Sequence, residues 1–324
     1  MKSIIIVLPY FGKFPNYFNL FLKSCATNST INWLLVTDQK LDKKNLPKNF
    51  ILKKSSFSDI QNLAKEKYGK SPISPYSLCK YKVVYHEIFY NEVKEFDFWG
   101  FCDCDLIFGN LRKFLTNKIL STYDKISWRG HLTLFRNTQN VNEAYKNEFL
   151  GFKTFRGCIN DSDGINLFDE VGINKIFNQL GLKIYEDLPF ADLQIRSNNF
   201  ICQHNIFNLE TNKNQIFRWT EEGLFRIYIY NKEIHTQSIA YVHFLKRPMR
   251  WDDYSVEKEH AFLIIPNRFI RDEKLTPNKL YKYSRKKFYW TYILSRLTPK
   301  FLFNKLIEKI KQRNLDPDIY ERKL

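Results

Sequence analysis

Two carboxylates flank one thiol in Asp103-Cys104-Asp105, within the run Asp97-Phe98-Trp99-Gly100-Phe101-Cys102-Asp103-Cys104-Asp105-Leu106-Ile107-Phe108. An acid on a hydrophobic strand costs desolvation free energy unless it is paired or bound to a cation. Hard divalent ions take oxygen ligands and keep places for water and phosphate. Asp103 and Asp105 are therefore expected to hold Mn²⁺ or Mg²⁺. The bland alternative is a solvated acidic turn, and the apolar flanks argue against it. A second signal is Tyr241-Val242-His243-Phe244-Leu245-Lys246-Arg247-Pro248. Neutral His243 can complete a shell begun by two carboxylates, although a lone histidine on an apolar strand is more often structural. Lys246, three residues on, can reach a phosphate as a point charge.

The elements around these residues read as α/β. Ser3 to Leu8 is a continuous apolar run, suited to a strand buried on both faces of a parallel sheet. Pro9-Tyr10-Phe11-Gly12 ends it. Tyr17 to Cys25 has helical spacing, and Asn32 to Asp38 is a second buried strand ending on a carboxylate. Strand, helix, strand in this order predicts a right-handed βαβ unit, with ligands beyond the carboxyl ends of the strands. Helices are expected over Ser55 to Tyr68, Leu78 to Tyr90, Leu111 to Leu120 and Asp169 to Leu180. Strands are expected over Asp97 to Phe108, Lys125 to Trp128, His131 to Phe135 and Ile239 to Phe244.

Composition narrows the function classes. The 324 residues carry a net charge of +17, with 44% hydrophobic and 17% aromatic residues. Disorder is excluded on composition, and acidic partners are favoured: nucleotide phosphates, nucleic acid or an anionic membrane. From Lys279 to Leu324 there are 13 Lys or Arg against 4 Asp or Glu, a surplus of +9. The six cysteines form no CxxC pair and read as reduced, mostly buried thiols. The N-terminal apolar run is too short for a signal peptide, and no stretch reaches the length of a membrane span. A cytoplasmic location is expected.

Taken in order, Ile6 to Gly12, the strand ending at Asp38, Trp99 to Gly109, Arg129 to Asn137, Phe168-Asp169-Glu170 and His243 to Pro248 resemble a GT-A-fold glycosyltransferase. The closer resemblance is to a bacterial family associated with capsule and surface-polysaccharide synthesis, in which the segment around Leu78 to Val83 often reads Cys-Asp-Phe-Lys-Pro. Here it is Cys79-Lys80-Tyr81-Lys82-Val83, which keeps Lys82 and lacks the Asp. The chain is more distantly similar to glycogenin-like and lipopolysaccharide galactosyltransferases, which carry His-x-x-Gly-x-x-Lys-Pro. His243, Lys246 and Pro248 are present here, but the glycine is absent and the spacing is shorter.

The resemblance implies a Rossmann-like, mainly parallel sheet flanked by helices, forming a nucleotide-sugar-binding catalytic domain over residues 1–250. Residues 251–324 would be a basic, aromatic-rich, mostly helical extension. The reaction implied is transfer from a nucleoside-diphosphate sugar, a UDP-sugar by preference, to a saccharide or lipid-linked acceptor. Pro9, Tyr10, Phe11 and Gly12 would contact the nucleotide. Asp38 would accept from base or ribose, or else serve as a turn residue. Lys82 would face the diphosphate, or be an exposed helix lysine. Arg129 and His131 would line the sugar pocket, or be structural. Asp169 and Glu170 are the candidate catalytic bases, with helix capping as the alternative. Inversion and retention both stay open.

The C-terminal stretch, with Tyr289, Trp290 and the amphipathic Phe301 to Ile310, can lie on an anionic bilayer, which would place the enzyme peripherally on the inner face of the cell membrane. It can equally pack on the catalytic domain. The rival classes are a nucleic-acid-binding protein and a metal-dependent phosphodiesterase. The first leaves Asp103 and Asp105 without a role and lacks any RRM, KH or zinc-finger pattern, so no nucleic acid is expected. The second usually needs more acidic and histidine ligands.

Overall fold

The alternation of side chains along Ile4 to Leu8 feeds two cores at once. In the computed structural model Ile5 and Val7 pack with Leu34, Val36, Trp99 and Phe101. Ile4, Ile6 and Leu8 pack on the other side with Trp33, Leu35 and Phe98. A strand apolar at every position is the signature of a sheet covered on both faces. The structure describes residues 1–149, 151–161, 168–194, 199–203, 214–247, 249–251 and 254–284.

In chain order the first eight strands are β1 (Ile4–Pro9), β2 (Ile31–Thr37), β3 (Phe50–Lys54), β4 (Phe98–Cys102), β5 (Leu106–Phe108), β6 (Lys125–Ile126), β7 (Leu132–Arg136) and β8 (Ile184–Tyr185). All but β5 form a seven-stranded sheet in the order β3-β2-β1-β4-β7-β6-β8. Strands β3, β2, β1 and β4 are parallel neighbours, β7 is antiparallel to β4 and β6, and β6 and β8 are parallel. Helix α1 (Phe18–Ala26) covers one face through Phe18, Phe21 and Leu22. Helix α2 (Phe57–Tyr68) covers the other through Ile60 and Ala64. Ser56 starts α2 with a capping box, its hydroxyl accepting from Asp59 N while the Asp59 carboxylate accepts from Ser56 N. The mixed α/β architecture, with a mostly parallel central sheet between helices, is the one the sequence predicts.

The later strands are β9 (Phe190–Asp192), β10 (Gln215–Thr220), β11 (Gly223–Tyr230), β12 (Glu233–Ile239), β13 (Tyr241–His243), β14 (Arg250–Trp251), β15 (Ala261–Ile265) and β16 (Arg268–Arg271). They make a six-stranded sheet, β12-β11-β10-β15-β16-β14, and a three-stranded sheet, β5-β13-β9. Two expectations change here. The run Asp97 to Phe108 is not one strand: it breaks at Asp103 to Asp105, so that β4 and β5 enter different sheets. The division at residue 250 falls inside a sheet, because β10 pairs with β15. Residues 261–271, expected in a mostly helical extension, are two paired strands. The compact unit runs Met1–Ser284. The basic aromatic stretch over residues 285–324 lies outside the described residues, as does Pro248. Among the described residues no helix is long and apolar enough to cross a membrane.

Candidate functional site

The break between β4 and β5 puts both carboxylates beyond the carboxyl end of a parallel strand. Asp103 N still donates to His131 O at 3.0 Å, extending the β4–β7 ladder by one step before the chain turns. β5 then starts at Leu106, which pairs with His243 of β13. His243 pairs on its other side with Asp192 of β9. Strand register alone therefore carries Asp105, His243 and Asp192 to one place. Asp103, Asp105 and His243 offer ligand atoms that all lie within 4.8 Å of one another. A set of two carboxylates and one imidazole could hold a divalent cation.

Asp105 is only 9% exposed. Its Oδ2 accepts from Lys246 N at 2.7 Å, and its Oδ1 lies 3.5 Å from His243 Nε2. Burial would push this carboxyl up, but His243 and the hydrogen bonds hold it well below the usual carboxylate range. Burial alone would push His243 down, but Asp105 and Asp192 lift it to about 10. His243 Nδ1 donates to Asp192 Oδ1 at 2.8 Å. His131 lies against the His243 ring, centroids 4.4 Å apart, and shares a 3.0 Å hydrogen bond with the Tyr241 hydroxyl. Burial, reinforced by the charge on His243, drives His131 well below its ordinary value.

The turn after β13 is strained. Leu245 and Lys246 both sit in the left-handed region, at φ +49° and +58°. Side chains other than glycine pay roughly 1–2 kcal/mol per residue there. The glycine missing from the His-x-x-Gly-x-x-Lys-Pro pattern would have relieved such strain. The turn aims the Lys246 amide at Asp105, while the Lys246 ammonium lies over the Tyr76 ring at 3.9 Å.

A cleft of about 1020 Å³ opens at this point, lined among others by Pro9, Tyr10, Phe11, Tyr76, Lys82, Asp103, Asp105, His243 and Lys246. Its volume is that of a site for a ligand of drug or cofactor size. Three of the four expected nucleotide-contacting residues line it; Gly12 is exposed and does not. Asp38 is also exposed and outside the lining, where its carboxylate accepts from Gln39 Nε2 at 2.8 Å.

Lys82 is not an exposed helix lysine. It lies at the buried end of the 3₁₀ stretch Pro75–Val84, and its Nζ donates to Asp103 Oδ1 at 2.8 Å and to Gly130 O at 2.7 Å. Asp169 Oδ2 is 3.9 Å away. Burial opposes the charge on Lys82, but Asp103 and Asp169 outweigh it and raise the ammonium above its ordinary value.

Asp169 and Glu170 do not line the cleft. They occupy a π-helical turn, Phe168–Gly172, ahead of the helix Ile173–Gln179, rather than the start of a regular helix. Burial raises the Asp169 carboxyl to about 7, against the pull of Lys82. Glu170 accepts from Gly130 N at 2.8 Å, and Arg129 Nη1 lies 3.7 Å from its other oxygen. Residue 130 must be glycine for this approach: a Cβ there would stand 2.5 Å from Asp169 Oδ2. Arg129 and His131 are buried and outside the cleft lining, with Arg129 packed on the Trp128 ring at 4.0 Å.

Asp192 and Tyr76 belong to the site and were not singled out from sequence. Asp192 carried a signal, since it ends the apolar run Leu188-Pro189-Phe190-Ala191 as Asp38 ends Trp33 to Val36. Tyr76 carried none.

No curated protein matches the chain. A family described as being of unknown function, DUF6625, matches residues 6–273, and the chain belongs to that family.

Proposed function

We propose that the protein is a cation-dependent glycosyltransferase of GT-A type, acting on a nucleoside-diphosphate sugar. The observation that carries the reading is the meeting of Asp103, Asp105 and His243, from two separate parts of the chain, in the wall of one large cleft. A Mn²⁺ or Mg²⁺ ion bound there would neutralise charge on a departing diphosphate. The remaining work falls to the chain itself. Pro9, Tyr10 and Phe11 follow the first strand of the parallel sheet and supply the wall against which a nucleotide can pack. Lys246 sits on the turn that touches Asp105 and lines the same cleft. Lys82 is committed to Asp103 and Asp169, so its part is to hold the Asp103 carboxylate in place rather than to bind diphosphate directly.

If the transfer inverts configuration, a carboxylate that reaches the cleft must remove the acceptor proton. Asp169 stands one lysine behind the wall, with its carboxyl raised to about 7, a value suited to accepting a proton near neutrality. Access for Asp169 requires Lys82 to move. The acceptor is a saccharide or a lipid-linked sugar, and the basic C-terminal segment would bring the enzyme to an anionic membrane surface.

The test is turnover. The full chain is incubated with a panel of UDP-sugars, with Mn²⁺ or with EDTA, and released UDP is quantified. Metal-dependent UDP release from one donor, lost in Asp105→Asn, is expected. No release from any donor, together with cation-dependent cleavage of an oligonucleotide or phosphodiester, would move the protein to the phosphodiesterase class.

A further inference from the structure

We infer that Asp192 is a positioning residue for the cation site: it fixes the His243 ring so that Nε2, and not Nδ1, meets the ion. This rests on the cation-binding reading above and adds to it a residue outside the Asp-x-Asp pair. Asp192 and His243 are register partners in the parallel β9–β13 pair, so the backbone brings their side chains together. The 2.8 Å bond from His243 Nδ1 to Asp192 Oδ1 occupies one ring nitrogen. The other nitrogen is the one that lies 3.5 Å from Asp105 Oδ1. Asp192 is itself held. It is 4% exposed, and its second oxygen accepts from Gln203 Nε2 at 2.7 Å. A carboxylate clamped on both oxygens cannot rotate away, so the ring it grips has one orientation, with Nδ1 turned to Asp192. A carboxylate on the distal N–H of a ligating histidine also makes the ligating nitrogen more basic.

The structure offers a competing arrangement. His131, Asp192 and His243 also have ligand atoms within 4.8 Å of one another. A cation held by those three would take Asp192 as a ligand and not as an orienting group. All three are buried and none but His243 lines the cleft, so an ion there would be shut off from any diphosphate. The two arrangements differ in their use of the ring. An ion among Asp103, Asp105 and His243 leaves the proton on Nδ1, donated to Asp192, whereas one bound between His243 and Asp192 displaces it.

That difference is directly observable on the full-length protein. With ¹⁵N-histidine labelling and ¹¹³Cd²⁺ as the probe, His243 is expected to show cadmium coupling at Nε2 and a retained proton at Nδ1. Cadmium coupling at Nδ1 would overturn the inference, and this readout needs no variant. Affinity gives the second arm, with free Mn²⁺ followed by electron paramagnetic resonance. Asp192→Asn keeps the shape and removes the charge, and is expected to weaken Mn²⁺ binding roughly 10- to 100-fold. Gln203→Ala, which touches only the outer oxygen, is expected to weaken it less and in the same direction. Wild-type affinity in Asp192→Asn, with binding lost in Asp105→Asn, would refute the role of Asp192 and leave the cation site standing. Absence of Mn²⁺ binding by the wild-type protein would refute the cation reading itself, and this inference with it.

Discussion

Replacing Lys82 by methionine should destabilise the protein, and by more at pH 8 than at pH 5.5. The Lys82 ammonium serves three oxygens: Asp103 Oδ1 at 2.8 Å, Gly130 O at 2.7 Å and Asp169 Oδ2 at 3.9 Å. Asp103 is partly solvated, so water can replace the lysine there at small cost. Gly130 O loses a charged donor, worth about 1.5–3 kcal/mol. Asp169 is buried and loses its cation, which costs about 3–5 kcal/mol if the carboxylate stays ionised. It can instead bind a proton, and that makes the cost depend on pH. Burial already lifts the folded Asp169 to about 7, well above an unfolded value of about 3.9. A carboxyl raised in this way contributes stability that is complete below its unfolded value and is lost as pH rises through the folded one. Without Lys82 the folded value climbs further, and each added unit costs about 1.4 kcal/mol once the pH exceeds it. At pH 5.5 Asp169 is protonated with or without Lys82, so the loss is about 2 kcal/mol, from the Gly130 and Asp103 contacts. At pH 8 it reaches about 3.4 kcal/mol, because only the climb from about 7 to the working pH is realised. Lys82 itself stays charged throughout, because Asp103 and Asp169 overcome burial and raise its own titration beyond this window. Urea unfolding at the two pH values measures the difference. Equal losses at both, or a loss below about 1 kcal/mol at pH 8, would refute the coupling between Lys82 and Asp169.

Lys125 is fully buried, its Nζ donating to Ser127 O at 2.5 Å, and burial lowers it to about 7 despite nearby Asp169 and Glu170. A lysine depressed in the fold loses stability as pH falls from its unfolded value towards the folded one, so from pH 9 to pH 7 the wild type should lose roughly 2–3 kcal/mol relative to Lys125→Met; parallel pH–stability curves would contradict this. Gly130→Ala forces a methyl to 2.5 Å from Asp169 Oδ2 and should cost about 1–3 kcal/mol, read as a lowered Tm; an unchanged Tm would show that the turn bearing Asp169 and Glu170 gives way freely. Asp38→Ala should leave nucleotide affinity unchanged, because Asp38 is exposed and outside the cleft; weakened binding of UDP by calorimetry would restore it to the site.

The central sheet was legible because its signal is local. Continuous apolar runs such as Ile4 to Leu8 and Trp33 to Val36 have few alternatives to a doubly covered strand. Asp103, Asp105 and His243 were legible for a related reason: charge and imidazole stand out against apolar flanks. What the sequence concealed depends on distant pairing. Nothing local to Phe98 through Phe108 reveals that its two halves join different sheets, since both halves have the same strand composition. Lys82 reads equally as a diphosphate contact or an exposed helix lysine until Asp103, Gly130 and Asp169 surround it. Asp169 and Glu170 look like acids at a helix start, but the π-helical turn directs them to Lys82 and Gly130. Strands β15 and β16 lie in a stretch dominated by its charge gradient, and their short apolar runs become strands only by pairing with each other and with β10.

The proposed reaction requires a cation at Asp103, Asp105 and His243 that grips a nucleotide diphosphate. Isothermal titration of UDP into the full chain, with Mn²⁺ and with EDTA, tests it most directly. UDP should bind only with Mn²⁺ present, and the Mn²⁺-dependent binding should vanish in Asp105→Asn while that variant keeps its fold by circular dichroism. Equal UDP affinity with and without the metal, or intact Mn²⁺-dependent binding in Asp105→Asn, would contradict it.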